Sequence, residues 1–362
     1  MNLDANSYGF QVQKYHRLLA RGFSQNGASV EVLSHPKNIE ALKPEDRTNE
    51  KEDGIHYSYA VRGKQGYLGL LWKAFFAAHQ YLKQHHSSFV ICDVLNLTVS
   101  LGGVLAGRLL NRKVIGIITD FPEQLSGRRN INSRLIWFLV SLCTGYVVLT
   151  EQMKEYFDSK KPVIVLEGHV NSDMFWSENT LNGKYTKKVC LYAGALHIKY
   201  GVEKMVKAFV AADVNDAELH LYGEGDYVEE LKKMKYNSVK YLGVIPNDEI
   251  ITEELRATVL INPRPSDAEF TKYSFPSKNM EYMASGTPVL TTKLPGMPIA
   301  YLEHVYIFND ESIEGMSRML REVLSKSRLE LHQKGLAAKQ FILENKTETA
   351  QANRILAFVS TC

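Results

Sequence analysis

Residues 262–298, NPRPSDAEFTKYSFPSKNMEYMASGTPVLTTKLPGMP, carry the densest chemical signal in the chain. The apolar run TVLIN reads as a buried strand and leads into a polar loop holding Pro263, Pro265 and Pro276. A helix then opens with Ser277 and Lys278 in its first turn and stops at Ser285-Gly286, ahead of a second apolar run, TPVLTT. The free N–H groups and the positive dipole end of a helix start attract phosphate. Glu281 lies about one turn further in. One turn rises about 5.4 Å, roughly the span from a diphosphate to its ribose, so a carboxylate there can accept from both ribose hydroxyls. These residue types at this spacing make a site for a nucleoside diphosphate.

Such a site needs a rigid sheet edge, and the chain supplies strands in plenty. Apolar runs at ASVEVLS, HYSYA, SFVICDV, KVIGIITD, GYVVLT and PVIVLEG alternate with amphipathic helices, such as 69–85 and 98–110. The rhythm repeats in VCLYAGAL, AELHLYG, SVKYLG, TVLINP, TPVLTT and VYIFND. Short apolar strands separated by helices imply parallel sheets covered on both faces. At 362 residues the chain exceeds one ordinary core. The expectation is therefore α/β, with two Rossmann-like doubly wound domains. The first spans 1–170 and the second 171–345, with periodicity lost across 168–187, and residues 346–362 form a last helix. Ligands of such sheets bind outside the carboxyl ends of the strands.

Composition narrows the class. The chain is 45% hydrophobic and 23% charged, as soluble globular proteins are. A net charge of +3 gives no reason to expect nucleic acid. Cys92, Cys143, Cys190 and Cys362 lack metal or CxxC spacing and read as reduced thiols. No apolar run is long enough to span a bilayer, and the polar N-terminus has no signal-peptide core. A cytoplasmic location is expected, with contact to the inner face of the membrane left open. The segments 68–86, near Arg62 and Lys64, and 127–142, with Arg128, Arg129 and Arg134, mix aromatics with cations. Such segments either lie on an anionic bilayer or face a core with a solvated basic side.

Three further segments join the candidate site. LYAGALHIKYG ends a strand and opens a loop with Gly194, His197 and Lys199. HLYGEGDYVEEL is a strand, a turn with Gly223 and Gly225, and a helix; alone that is a weak signal. KVIGIITDFPEQL sets Asp120 just beyond a buried strand, with Glu123 close behind. His169, between the two domains, suits capping or packing. No His/Cys cluster has metal spacing and no GxSxG elbow is present.

The stretch YSFPSKNMEYMASGTPVL resembles the donor-binding segment of retaining glycosyltransferases of family 4, which have the GT-B fold. The likeness extends well over the C-terminal half and loosely over the N-terminal half, and YSFPSK resembles a branch acting in capsule and exopolysaccharide synthesis. The resemblance implies a donor-side site made by Gly194, His197, Lys199, Gly223, Gly225, Gly243, Val244, Tyr273, Ser274, Phe275, Ser277, Lys278 and Glu281. Lys199 and Lys278 would face the leaving diphosphate, and the base would meet main-chain groups near Gly243 and Val244. The active site would lie in the cleft between the domains, with the last helix crossing back to the first. Tyr273 stands where the family's first glutamate is usual, and Ala195 where an arginine is usual. The opening strand and Gly-rich turn that precede the first helix in the family are missing, which implies a truncated start.

The reaction implied is transfer of a sugar from a UDP- or GDP-sugar to a hydroxyl of a glycan or lipid-linked acceptor. Asp120 is expected to orient donor or acceptor. No Asp-x-Asp pair appears, so neither an essential metal nor a cofactor is expected. A non-catalytic accessory subunit and a nucleotide-sugar epimerase of the same fold are the alternatives.

Overall fold

A computed structural model describes residues 8–34, 50–52, 54–59, 67–123, 130–157, 160–175 and 178–362. The chain divides into two compact units, 1–169 with 348–362, and 170–347.

The first unit carries seven strands among its described residues: β1 (Glu31–Ser34), β2 (Glu50–Glu52), β3 (Ile55–Tyr59), β4 (Phe89–Asp93), β5 (Lys113–Ile118), β6 (Gly145–Val148) and β7 (Val163–Val165). They form two sheets, β1-β3-β2 and β4-β5-β6-β7. All pairings are parallel except the β2–β3 hairpin. Among the described residues the ladder breaks between β1 and β4. The reading also missed β2, whose Glu-Lys-Glu has no apolar pattern and is held by its partner strand.

Helix Tyr8–Gln25 and the last helix, Glu348–Thr361, pack together in this unit. A Cβ on Gly22 would lie 2.2 Å from the Glu348 carbonyl oxygen, so the two backbones meet where only hydrogen fits. Leu19 and Phe23 then share a core with Ile115, Ile117, Val147, Ala352 and Ile355. Each fully buried Leu or Ile contributes roughly 1.5–3 kcal/mol.

The second unit is one parallel six-stranded sheet of β8 (Lys188–Ala193), β9 (Ala217–Tyr222), β10 (Val239–Tyr241), β11 (Val259–Asn262), β12 (Val289–Thr292) and β13 (Tyr306–Phe308). Their order is β10-β9-β8-β11-β12-β13. Period-two alternation sorts β8 cleanly. Cys190 and Tyr192 join the core under helix Val202–Ala212, while Val189, Leu191 and Ala193 join the one under helix Ser277–Ser285. From β8 the chain winds toward β9 and β10 on one side, then returns through β11 toward β13 on the other. That reversal sets a topological switch point between β8 and β11, where doubly wound sheets bind ligands.

Candidate functional site

The loops that leave β8 and β11 flank this switch point, and they are the two segments with the strongest chemistry in the sequence. The loop after β11 is fixed by its own polar atoms. Ser266 N–H donates to Glu311 Oε2 at 3.1 Å, and Thr271 Oγ1 donates to the Ala268 carbonyl at 2.5 Å. Phe275 is buried and packs on Tyr301, with ring centroids 5.0 Å apart. Its side chain therefore anchors the loop. Tyr273 and Ser274 are half-buried beside it.

Helix Ser277–Ser285 follows, with Pro276 at its N-cap and no side chain capping it. Its first turn is held to the sheet by buried Asn279, which accepts from Asn262 Nδ2 at 2.7 Å and donates to Thr291 Oγ1 at 3.2 Å. Gly286 closes the helix at φ 78°, in the left-handed region. Ser277 and Glu281 are exposed, about one turn apart. Lys278 turns toward β8, where its ammonium donates to the Ala193 carbonyl. A Cβ on Gly194 would stand 2.9 Å from Lys278 Nζ, so glycine leaves room for the cation.

Three glycines predicted from the sequence meet across the strand ends. Gly194 N–H donates to the Tyr222 carbonyl at 2.9 Å, and Gly223 N–H to the Gly243 carbonyl at 2.8 Å. A Cβ on Gly223 would fall 1.8 Å from the Gly194 carbonyl oxygen, and one on Gly225 would fall 2.2 Å from that of Leu196. Both positions need hydrogen because backbone occupies the side-chain space. Val244, just beyond Gly243, is exposed. A cavity of 440 Å³ opens at this edge, lined by Tyr222, Leu242, Ile245, Glu249, Thr252 and Glu253.

The loop after β8 brings Lys199 and His197. His197 Nδ1 lies 3.2 Å from Asp226 Oδ2, and the Ile198 N–H donates to Asp226 Oδ1 at 2.9 Å. That N–H bond, with His197 assisting, holds the Asp226 carboxyl below its usual range. Lys199 is exposed, its ammonium 5.0 Å from the centre of the Tyr200 ring. The same ring carries the Arg264 guanidinium at 5.5 Å. Burial pushes the Tyr192 phenol up to about 12 and Arg264 pulls against that rise, while Lys278 Nζ stands 6.0 Å from the Tyr192 ring. Lys199, Arg264 and Lys278, from three segments, thus converge on two neighbouring tyrosines at the switch point. Such convergence attracts an anion.

The sequence reading passed over Asp226, Arg264 and Glu254. Asp226 follows Gly225 directly, a local signal that was available. Arg264 lies inside the segment with the strongest signal, but only the fold sets it on Tyr200. Glu254 had no local signal. It is buried behind the site, where burial pushes its carboxyl up to about 8, with Lys278 opposing and Glu281 adding to the rise.

In the first unit, Asp120 lies half-buried beyond the carboxyl end of β5. Glu123 accepts from the Trp137 indole N–H at 2.9 Å, a structural duty. His169 stacks on Tyr15 at 4.4 Å, and burial pushes its pKa down to about 4. Arg62, Lys64, Arg128 and Arg129 lie outside the described residues. Among the described residues no three His, Cys, Asp or Glu side chains group as metal ligands, and no helix is long and apolar enough to cross a membrane.

Residues 177–340 match the family model of Glycosyl transferases group 1. The matched stretch falls within the second unit and contains every residue that the sequence resemblance led one to expect on the donor side. Over almost its whole length the chain is similar in structure to sucrose-phosphate synthase from Thermosynechococcus elongatus, with a TM-score of 0.70, 16% identity, and 97% of this chain and 93% of that one covered. A glycosyltransferase from Rickettsia africae ESF-5 gives 0.68 at 15% identity, covering 97% and 95%. HepE of Anabaena, solved with UDP, gives 0.65 at 14%, covering 85% and 86%. At these identities the shared property is the fold, which is GT-B, built from α/β units with parallel sheets. No curated protein matches the chain in sequence.

Proposed function

We propose that this chain is a retaining glycosyltransferase of the family 4 type. It would move a sugar from a nucleoside-diphosphate donor to a hydroxyl of a glycan or lipid-linked acceptor in cell-surface polysaccharide synthesis. The observation that carries this reading is the convergence of Lys199, Arg264 and Lys278 at the switch point, beside an uncapped helix start with Glu281 one turn in.

In this reading the diphosphate is held by the three cations and the start of helix Ser277–Ser285. Glu281 grips the ribose, and the base enters the cavity beside Gly243 and Val244. His197, fixed by Asp226, borders the phosphates. Arg264 supplies from the β11 loop the guanidinium that Ala195 does not. As the sugar–phosphate bond breaks, negative charge grows on the leaving oxygens, and fixed cations stabilise it without reorganising. The sugar passes through an oxocarbenium-like state. The leaving phosphate oxygen takes the acceptor proton, so no separate strong base is required. Asp120 of the first unit is assigned the orienting of donor or acceptor. The cations take the charge-neutralising part that a metal plays elsewhere, so activity should survive chelation. The working location is the cytoplasm, at the inner face of the membrane.

Calorimetric titration with UDP, GDP, ADP and CMP, on the natural chain and on Glu281→Ala, tests this. Micromolar binding of one nucleotide, weakened by the substitution, supports the donor site and identifies the base. Absence of binding to all four would overturn the active-transferase reading and leave an accessory role.

A further inference from the structure

Two helices of the first unit have a second apolar face pointing into solvent. Helix Tyr67–Gln84 buries Leu71, Ala74 and Ala78, yet it also presents Trp72 at 62% and Phe76 at 61% exposure, their rings stacked 6.1 Å apart. Helix Ile131–Leu142 buries Ile136, Leu139 and Val140, and exposes Ile131 and Phe138. Between them in sequence, the helical run from Leu97 to Leu109 packs against both and ends on exposed Arg108 and Leu109. A core-facing helix needs one apolar stripe. The outward set needs a different explanation.

Charge supplies it. Residues 54–150 hold ten Lys and Arg against three Asp and Glu, a net +7, which leaves −4 for the remainder of a chain whose total is +3. No acidic residue occurs in any of these three helical segments. Lys73 and Lys83 are exposed on the helix that carries Trp72 and Phe76, and Arg134 is exposed between Ile131 and Phe138. Outward aromatics interleaved with cations, on helices with no carboxylate of their own and with Glu31 held by Tyr81 and Glu123 by Trp137, match the chemistry of an anionic bilayer: rings enter the headgroup layer and cations meet lipid phosphates.

We propose that the outer face of helices Tyr67–Gln84 and Ile131–Leu142 is a docking surface for an anionic lipid bilayer. It extends the location given above, but it rests on residues remote in sequence from the donor site and is tested separately.

The test is flotation of the full chain with vesicles of phosphatidylglycerol in phosphatidylcholine, and with phosphatidylcholine alone. The chain should float with the anionic vesicles, less so as salt rises, and not with the neutral ones. Trp72→Ser with Phe76→Ser should lower the bound fraction about tenfold or more. Lys73→Glu with Arg134→Glu should remove the preference for anionic lipid. Unchanged circular dichroism in each variant secures the fold. The proposal fails if the natural chain floats with neither vesicle, or if the aromatic variant floats as the natural chain does. It also fails if sedimentation shows a dimer, without vesicle binding, that the aromatic variant disperses. Vesicle binding without nucleotide binding would leave this surface standing and remove the donor site.

Discussion

β8 and β4 occupy similar places in their units, each followed by a helical crossover into a parallel sheet, yet their environments differ. From Val189 to Ala193 β8 is buried throughout, whereas Phe89, Val90 and Ile91 of β4 keep partial exposure. Both sequences are apolar enough for a core. What differs is the ladder: β8 pairs on both edges, with β9 and β11, while β4 pairs with β5 alone among the described residues. An apolar strand is buried fully only when neighbours cover its edges as well as its faces. The continuous sheet also creates the switch point on which the candidate site is built.

The largest break in this comparison comes at Gly223. Gly223→Ala places a methyl group 1.8 Å from the Gly194 carbonyl oxygen, so a loop or a strand end must move. The expected cost is about 3 kcal/mol or more, with loss of nucleotide binding, read by urea unfolding and calorimetry. Next come the cations. Lys278→Ala and Arg264→Ala should each weaken UDP binding by about tenfold or more, since charge-assisted contacts to phosphate contribute about 1.5–3 kcal/mol. Asp120→Asn, in the first unit, should leave nucleotide affinity within about twofold and lower turnover. Equal losses of affinity in all three variants would erase the assignment of the donor to the second unit.

Two smaller effects depend on pH and carry opposite signs. Glu254 holds its proton up to about pH 8 when folded, whereas the unfolded carboxyl releases it near 4.5. The folded state therefore binds more protons across that window, and stability falls as pH rises through it. Glu254→Gln should flatten this slope and raise the melting temperature at pH 9 by several degrees, because about 1 kcal/mol corresponds to 2–4 °C in proteins of 150–250 residues. His169 behaves in the other sense. Its folded pKa near 4 lies below the ordinary 6.5, so stability is lost as pH falls from 6.5 toward 4. His169→Phe should keep the stack on Tyr15 and shift the acid unfolding midpoint of the first unit downward by a few tenths of a pH unit, measured by near-ultraviolet dichroism.

Local signals were legible wherever a short piece of chain dictates its own geometry. Pro276-Ser277-Lys278 opens a helix and Ser285-Gly286 closes it, because proline cannot donate and glycine accepts the left-handed turn. The apolar runs became strands with ends shifted by up to three residues, since period-two burial is written in side-chain type. β2 was illegible because a polar triplet becomes a strand only beside β3. The packing of Phe275 on Tyr301 was illegible because an aromatic in a loop looks the same whether it faces solvent or a core. Arg264 was hidden because its significance is a relation to Tyr200, some sixty residues earlier in the chain.

The sequence by itself determined the alternation of strands and helices, the parallel class of sheet, and a helix start with lysine and glutamate one turn apart. These follow from propensity, periodicity and spacing over a few residues, where the chain's covalent geometry leaves little choice. Only the tertiary structure decided the strand order and the division of the first unit's strands between two sheets. It also set three cations from three segments around Tyr192 and Tyr200, and placed Glu254 out of water behind them. Those outcomes depend on which distant segments share a ladder or a core, and that is fixed by the free energy of the whole packed unit rather than by any one stretch of it.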